Sequence, residues 1–374
     1  MRRFLSVLAI ASILVGCGSE SEILPPMQVD RLGRESCKEG SRMDTLVAGS
    51  WNLAVGFDVK DLFFLDPDST AAIYHRAEKI FADARRNLPR ERIRLVASEI
   101  ARSGADVVGL QEVLHLAKGD TLVADFLDTL QADLSALGVK YNAYLRPLNA
   151  QTMRMPPPDS VDPSGLPVRR DTLVMHFSEG QALLVSDRFL VLEEGIQDFR
   201  NVIPVTLPGG VRTTTQRSVQ WALLRDRSGF QMEVWNTHLE ILQGQITAQT
   251  GEFLSLSDSL RATKSGMFHP SGRLFVGDIN NEPGQLSPQM LESSGWMDTW
   301  SEVRFGKGFT YGGGSLRDSV KNFYQRIDRV MHQGGCVVDT AWLQGTHASL
   351  TDSGWLFPSD HALVLARILY GIRP

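Results

Sequence analysis

Cysteine is scarce in this chain. Only Cys17, Cys37 and Cys336 occur among 374 residues, too few for a disulfide-built scaffold, a four-ligand zinc ribbon or an iron–sulfur centre. Basic excess is also missing: 38 Lys and Arg stand against 43 Asp and Glu, a formal net charge of −5. A protein that holds nucleic acid by bulk electrostatics displaces counterions from many phosphates and usually shows a basic face, so the whole-chain charge disfavours that mode of binding. No apolar run is long enough to cross a bilayer, which takes roughly 20 residues; the run from Phe4 to Val15 falls short. The composition is not that of a disordered chain either. Hydrophobic residues make up 43 % and charged residues 22 %, which allows a sizeable core.

What is present begins with an export signal. Met1-Arg2-Arg3 supplies a positive start, Phe4–Val15 an apolar stretch, and Gly16-Cys17-Gly18-Ser19 small residues at its end. Leu14-Val15-Gly16-Cys17 resembles the bacterial lipoprotein box. That resemblance implies a signal peptide over residues 1–17, lipidation at Cys17, and an exported, membrane-anchored protein on the periplasmic face or the cell surface. Residues 18–43 are polar, contain Pro25-Pro26 and lack a helical period, so they read as a tether. In an oxidising compartment Cys37 and Cys336 can pair; two buried free thiols are the other reading. Sequence offers no geometry with which to choose.

Residues 44–374 are expected to form one domain, because their polar motifs run from Asn52 to His361 and must share one site. Thr45–Trp51 reads as a strand entering Asn52, and Ala105–Leu110 as a buried strand leading into Gln111-Glu112. Helices are expected over Thr70–Asn87 ahead of Pro89, over Arg90–Ser103 closed by Gly104, and over Thr121–Leu137 closed by Gly138. Further strands are expected near residues 181–186, 219–225, 231–236, 273–277, 326–331, 337–344 and 362–368. Residues 151–170 are Pro-rich and polar, residues 309–318 glycine-rich, and both read as loops.

Six polar clusters sit at expected strand ends, where α/β folds place ligands. They are Ser50-Trp51-Asn52, Gln111-Glu112, Asn236-Thr237-His238-Leu239, Gly277-Asp278-Ile279-Asn280, Arg326-Ile327-Asp328 and Ser359-Asp360-His361. Each alone has a structural explanation: a turn Asn, an Asx turn before Pro283-Gly284, a Ser-Asp cap, a cross-strand ion pair. In this order they resemble the endonuclease/exonuclease/phosphatase superfamily of metal-dependent phosphoesterases. That group includes DNase I-like nucleases, apurinic endonucleases, neutral sphingomyelinases and inositol polyphosphate phosphatases. The resemblance spans Thr45 to Leu369.

It implies an α/β fold, a four-layer sandwich of two packed mixed β-sheets flanked by helices. It assigns Glu112 as principal ligand of a Mg²⁺ ion, replaceable by Mn²⁺, with Asn52 and Asp360 close by; hard cations of this kind prefer oxygen ligands. Asp278 resembles the aspartate that orients and deprotonates the attacking water, and Asn280 the amide that holds a phosphate oxygen. Asp328 resembles the carboxylate that bonds His361 at the phosphoryl group, a pairing that fixes the tautomer and raises the imidazole pKa. His238 matches the histidine of the DNase-like and sphingomyelinase-like branches, which contacts the scissile phosphate. Asn236 is a candidate phosphate contact, and Arg217 is either another or a surface ion pair.

The expected protein is thus an extracytoplasmic Mg²⁺-dependent phosphoesterase acting on phosphodiesters of nucleic acid or phospholipid headgroups. It is expected to be a monomer with no obligate protein partner. An inositol or sugar phosphate phosphatase and a catalytically inactive surface binding module are the alternatives. Phe57, Leu62, Phe63, Phe64 and Leu65 either form an apolar lip near the site or pack the following helix. His115, His176 and His332 read as structural or surface residues.

Overall fold

The computed structural model describes residues 42–63, 70–157, 171–207, 211–264, 272–334 and 336–372. Two mixed sheets dominate it. The eight-stranded sheet runs Cys336–Gln344, Leu363–Ile372, Arg42–Asn52, Val107–Gln111, Leu173–Ser186, His115–Lys118 and Thr121–Asp125, with Tyr141–Met155 also paired to Leu173–Ser186. The six-stranded sheet runs Met297–Asp298, Asp328–Gly334, Gly272–Asp278, Gln231–His238, Ser218–Arg225 and Leu190–Asp198. Each sheet contains one parallel pair: Arg42–Asn52 with Val107–Gln111, and Gln231–His238 with Gly272–Asp278.

Side chains alternate faces along a strand, and that period decides which layer each residue fills. Leu46, Ala48, Val107, Leu183 and Val185 of the first sheet meet Leu224, Met232, Val234, Leu274, Val276 and Val330 of the second in one buried cluster. Their neighbours Val108, Leu110, Ala182 and Leu184 face the other way, against Tyr74, Phe81, Ile93, Val96, Ile100 and Leu130. Those come from the helices Thr70–Arg86, Pro89–Ser103 and Phe126–Ala136. Trp235, Phe275 and Met331 on the outer face of the second sheet pack on Ile246, Phe253 and Leu291, from the helices Gln243–Lys264 and Leu286–Ser293. The layers are helix, sheet, sheet and helix, the α/β sandwich expected. Gly109 shows how closely the sheets approach: a Cβ there would lie 2.4 Å from Val276 Cγ2 and 2.6 Å from Asn236 Oδ1.

Helix punctuation matches the sequence at Pro89, which occupies the first turn, and at Gly104, which closes the helix with φ 62°. The segment expected as a helix over Thr121–Leu137 divides in two. Thr121–Asp125 is a strand antiparallel to His115–Lys118, formed because Gly119 turns the chain at φ 54° and Thr121 and Val123 suit a strand. Helix then starts at the Asp125 cap, whose side chain accepts from Asp128 N. Residues 151–155 likewise extend the strand Tyr141–Met155; residues 158–170 lie outside the described residues. So do Cys17 and Cys37, and with them the Cys37–Cys336 pairing. Among the described residues no helix is long and apolar enough to cross a membrane.

Candidate active site

Parallel pairing brings carboxyl ends to one edge of the sandwich. Asn52 is level with Gln111 in the first sheet and His238 with Asp278 in the second. Asp278 is also level with Asp328 on its antiparallel neighbour. Leu363–Ile372 runs antiparallel to Arg42–Asn52, so Ser359-Asp360-His361 arrives beside Asn52. Hydrogen bonds lock that junction: Trp51 Nε1 donates to His361 O at 2.9 Å and Ser359 Oγ donates to Asn52 O at 2.7 Å. The same hydroxyl accepts from His361 N at 3.1 Å.

Asn52 ties the two sheets' carboxylates together. Its Nδ2 donates to Glu112 Oε1 at 3.0 Å and to Asp278 Oδ2 at 3.1 Å, while Oδ1 accepts from Ala54 N at 2.9 Å. The resemblance places Asn52 close to the metal; here the amide turns its nitrogen to the two carboxylates and orients both. Glu112 Oε2 accepts from Val55 N at 2.8 Å, and Asp278 Oδ1 from Asn280 N at 2.9 Å. Asn280 Nδ2 donates to Leu239 O at 2.8 Å. Ala54, Glu112 and Asn280 all have positive φ, of 55°, 54° and 48°, a left-handed conformation that side chains rarely adopt and that concentrates at functional sites.

His361 stands over a carboxylate cluster. Its Nδ1 lies 2.9 Å from Asp328 Oδ2 and 3.9 Å from Asp278 Oδ2, and its Nε2 lies 3.9 Å from Asp360 Oδ1. Burial disfavours the imidazolium, but Asp328, Asp360 and Asp278 outweigh it and raise the pKa to about 10. Burial, then the facing charge of Asp328, pushes Asp278 above the usual carboxylate range, against the pull of His361, Asn280 and Asn52. The glycine-rich loop frames this group, a role its composition did not announce. Thr310 Oγ1 accepts from Ile327 N and Asp328 N at 3.2 and 3.1 Å, the Tyr311 ring lies 4.8 Å from that of His361, and Gly312 N donates to Asp360 O.

His238 has the opposite surroundings. Its Nε2 lies 3.6 Å from Asp278 Oδ2 and its Nδ1 2.8 Å from Arg217 Nη1. Burial, with the charges of Arg217 and His361, holds its pKa well below the usual imidazole value. Arg217 is not a surface ion pair: its side chain is 13 % exposed and sits 3.4 Å from Glu240 and 3.8 Å from Glu179. Burial opposes its charge, but Glu179 and Glu240 hold its pKa above the ordinary value. Asn236 is fully buried between the sheets. Its Nδ2 donates to Ala182 O at 3.0 Å and its Oδ1 accepts from Gln111 Nε2 at 2.8 Å, which commits the amide to the sandwich beneath the site.

One residue absent from the motifs proves central. Arg92, fully buried, donates to Leu53 O, to Ala54 O at 2.6 Å and to Pro358 O at 3.1 Å, so one guanidinium pins the chain after Asn52 and the chain before Ser359. Burial lowers its pKa to about 10 against the pull of Asp360 and Glu112. The remaining polar and apolar candidates are structural. Phe57 meets Phe177 edge-on at 6.2 Å, and Leu62 packs with Tyr74, Ala77 and Phe81; the side chain of Phe63, and Phe64 and Leu65, lie outside the described residues. His115 pairs with Asp125, His176 with Thr152 and His332 with Glu302.

The site suits a hard divalent cation. Ligand atoms of Asp278, Asp328 and His361 lie within 4.8 Å of one another, and Asp328 Oδ1 is buried without a hydrogen-bond partner. His361, protonated beside Asp328, is not itself a donor to a cation; the anionic oxygens of Glu112, beside Asn52, and of Asp360, beside His361, are of the kind a hard cation prefers.

The chain matches the Endonuclease/Exonuclease/phosphatase family over residues 49–361. Among solved structures, a family protein from Bacteroides thetaiotaomicron superposes with a TM-score of 0.56 at 15 % identity, covering 89 % of this chain and 97 % of that one. A second from Bacteroides vulgatus gives 0.53 at 14 %, over 87 % and 98 %. The mannosyl-6-phosphatase of Bacteroides thetaiotaomicron gives 0.51 at 17 %, over 86 % and 99 %. These are likenesses of fold. No curated protein matches the chain.

Proposed function

The chain belongs to the endonuclease/exonuclease/phosphatase family, and we propose that it hydrolyses phosphodiesters outside the cytoplasm with the help of Mg²⁺. The observation that carries this reading is the setting of Asp278, bonded to Asn52 Nδ2 and Asn280 N and flanked by two histidines. A general base works best when its proton affinity is raised towards the working pH, and burial beside Asp328 raises that of Asp278. Asp278 orients the attacking water and takes its proton. His361, kept protonated by Asp328, faces a phosphoryl oxygen; His238 and Asn280 face the others. Glu112 and Asp360 are the ligands we assign to the ion, with Asn52 orienting Glu112. Bound there, Mg²⁺ supplies positive charge to the phosphoryl oxygens.

Cys17 as lipid attachment site and residues 18–41 as tether support an extracytoplasmic location at a membrane; the tether stops two residues short of the expected boundary because Arg42 and Met43 already pair with Ile372 and Gly371. Detergent-phase partitioning of the wild type, lost in Cys17→Ser, is the check. The substrate is a diester of nucleic acid or of a phospholipid headgroup. A sugar phosphate is the second reading, favoured by the name of the mannosyl-6-phosphatase neighbour. The deciding experiment is hydrolysis of bis-p-nitrophenyl phosphate against p-nitrophenyl phosphate with Mg²⁺, Mn²⁺ or EDTA, followed by DNA, RNA, sphingomyelin, inositol phosphates and mannose 6-phosphate. Diester turnover abolished by EDTA and by Asp278→Asn is expected. Wild-type turnover by Asp278→Asn, or none by the wild type on any ester, would overturn the reading, the latter in favour of a binding module.

A further inference from the structure

Arg217 precedes the strand Ser218–Arg225, whose Val219 is level with Thr237, and so comes up against His238. Its Nη1 lies 2.8 Å from His238 Nδ1. A guanidinium has donors and no acceptor, and Arg217 is held cationic between Glu179 and Glu240. Those carboxylates are themselves fixed: Asn149 Nδ2 donates to Glu179 at 3.0 Å and Thr215 Oγ1 to Glu240 at 2.6 Å. The Nδ1 atom therefore bears the lone pair. An imidazole that accepts at Nδ1 carries its one proton on Nε2, and Nε2 is the nitrogen turned to the site, 3.6 Å from Asp278 Oδ2.

We propose that Arg217 is a positioning residue that fixes His238 as its Nε2–H tautomer, which makes His238 a neutral hydrogen-bond donor to a phosphoryl oxygen and not an acid or base. With the proton on Nδ1 instead, that nitrogen would oppose the Arg217 donor and Nε2 would offer only a lone pair to an anionic phosphoryl group. His361 takes the complementary part, with its Nδ1 turned to the Asp328 carboxylate. Arg217 thus acts through the imidazole, not on the phosphate itself.

The inference rests on the phosphoesterase reading only for its kinetic arm; the tautomer is read without substrate. Long-range ¹H–¹⁵N correlation spectra of protein labelled with ¹⁵N-histidine report it, with His238 assigned by its loss in His238→Gln. At neutral pH an unprotonated Nδ1 and a protonated Nε2 are expected, retained in Arg217→Lys and replaced by mixed tautomers in Arg217→Met. Protonated Nδ1 in the wild type, or an unchanged pattern in Arg217→Met, overturns the proposal. Should Arg217→Met not fold, the wild-type and Arg217→Lys spectra decide. On an active ester, Arg217→Met is expected to lower kcat by about tenfold with little change in KM and Arg217→Lys to recover much of it. A raised KM at unchanged kcat would make Arg217 a phosphate contact and overturn the assignment. Absence of turnover on every ester defeats the phosphoesterase reading and leaves the spectroscopic result standing.

Discussion

Asp278 and Asp328 stand level on adjacent antiparallel strands, each 1 % exposed. Two buried carboxylates at that spacing repel each other and resist joint ionisation unless a cation intervenes. His361 is that cation, 2.9 Å from one and 3.9 Å from the other. Asp328 therefore acts on the proton affinities of both its neighbours, adding to burial at Asp278 and opposing burial at His361. Asp328 raises both partners, Asp278 through repulsion and His361 through attraction.

This fixes the shape of the pH profile. As the proposed base, Asp278 would work deprotonated, so its raised pKa is expected to move the acid limb of kcat/KM up from the ordinary carboxylate range. As the proposed donor to a phosphoryl oxygen, His361 would work protonated, so its pKa of about 10 is expected to place the alkaline limb well above the usual imidazole range. Asp328→Asn removes the charge that raises both, and both limbs are expected to move to lower pH. The measurement is kcat/KM against pH for the two proteins at fixed Mg²⁺; limbs that stay in place would refute the coupling.

Glu112→Gln is expected to separate metal affinity from base function. The variant keeps the size of the side chain and one of the two hydrogen bonds that Glu112 accepts from Asn52 and Val55, and loses the negative charge on the residue assigned as principal ligand. Half-saturating Mg²⁺ should rise by at least about tenfold, with kcat largely restored in excess metal. Asp278→Asn should instead lower kcat by about 10²- to 10⁴-fold at any metal concentration. Mn²⁺ binding followed by electron paramagnetic resonance, alongside rates, distinguishes the two. Equal metal affinity in wild type and Glu112→Gln would remove Glu112 from the ligand set.

Much of this site is legible in the sequence because its side chains lie at or next to strand ends, where residue identity and order survive without coordinates. Asn52, Glu112, His238, Asp278, Asp328 and His361 do meet at one edge. What is not legible depends on register and on distant backbone. Asn236 is level with Gln220 and Val276, which turns it between the sheets; a slip of one residue would reverse its face, and no local pattern reveals that register. Arg217 reads equally as a phosphate contact or a surface ion pair until Glu179, Glu240 and His238 are placed around it. Arg92 leaves a faint trace, an arginine heading the apolar line Val96 and Ile100 at helical spacing. Its acceptors, from residues 53 to 358, leave none. The helix Gln243–Lys264 escapes because glutamines, serines and threonines interrupt the face that carries Ile246 and Phe253.

Arg92→Lys should loosen the site and the fold together. An ammonium has one centre from which to reach three carbonyls that a guanidinium spans from two nitrogens. Leaving a buried carbonyl without its donor costs about 1–3 kcal/mol. The urea midpoint is therefore expected to fall, and Mg²⁺ affinity with it, because the Leu53–Ala54 and Pro358 segments flank Asn52 and Asp360. A variant with wild-type metal affinity and reduced stability would make Arg92 a core residue alone.

Gly109→Ala tests how the sheets hold the site without touching a catalytic group. The added methyl would lie 2.4 Å from Val276 Cγ2 and 2.6 Å from Asn236 Oδ1, both on the opposite sheet. Overpacking of this kind costs about 1–3 kcal/mol, and relief requires the sheets to part or Asn236 to move. Asn236 bonds Gln111, which is level with Asn52, so the displacement reaches the site through one parallel pair. Both the unfolding midpoint and kcat are expected to fall. Adding Val276→Ala removes one of the two close contacts and should recover part of the stability lost, a non-additive result that a double-mutant cycle measures. Full additivity would show that the two sheets adjust independently at this position.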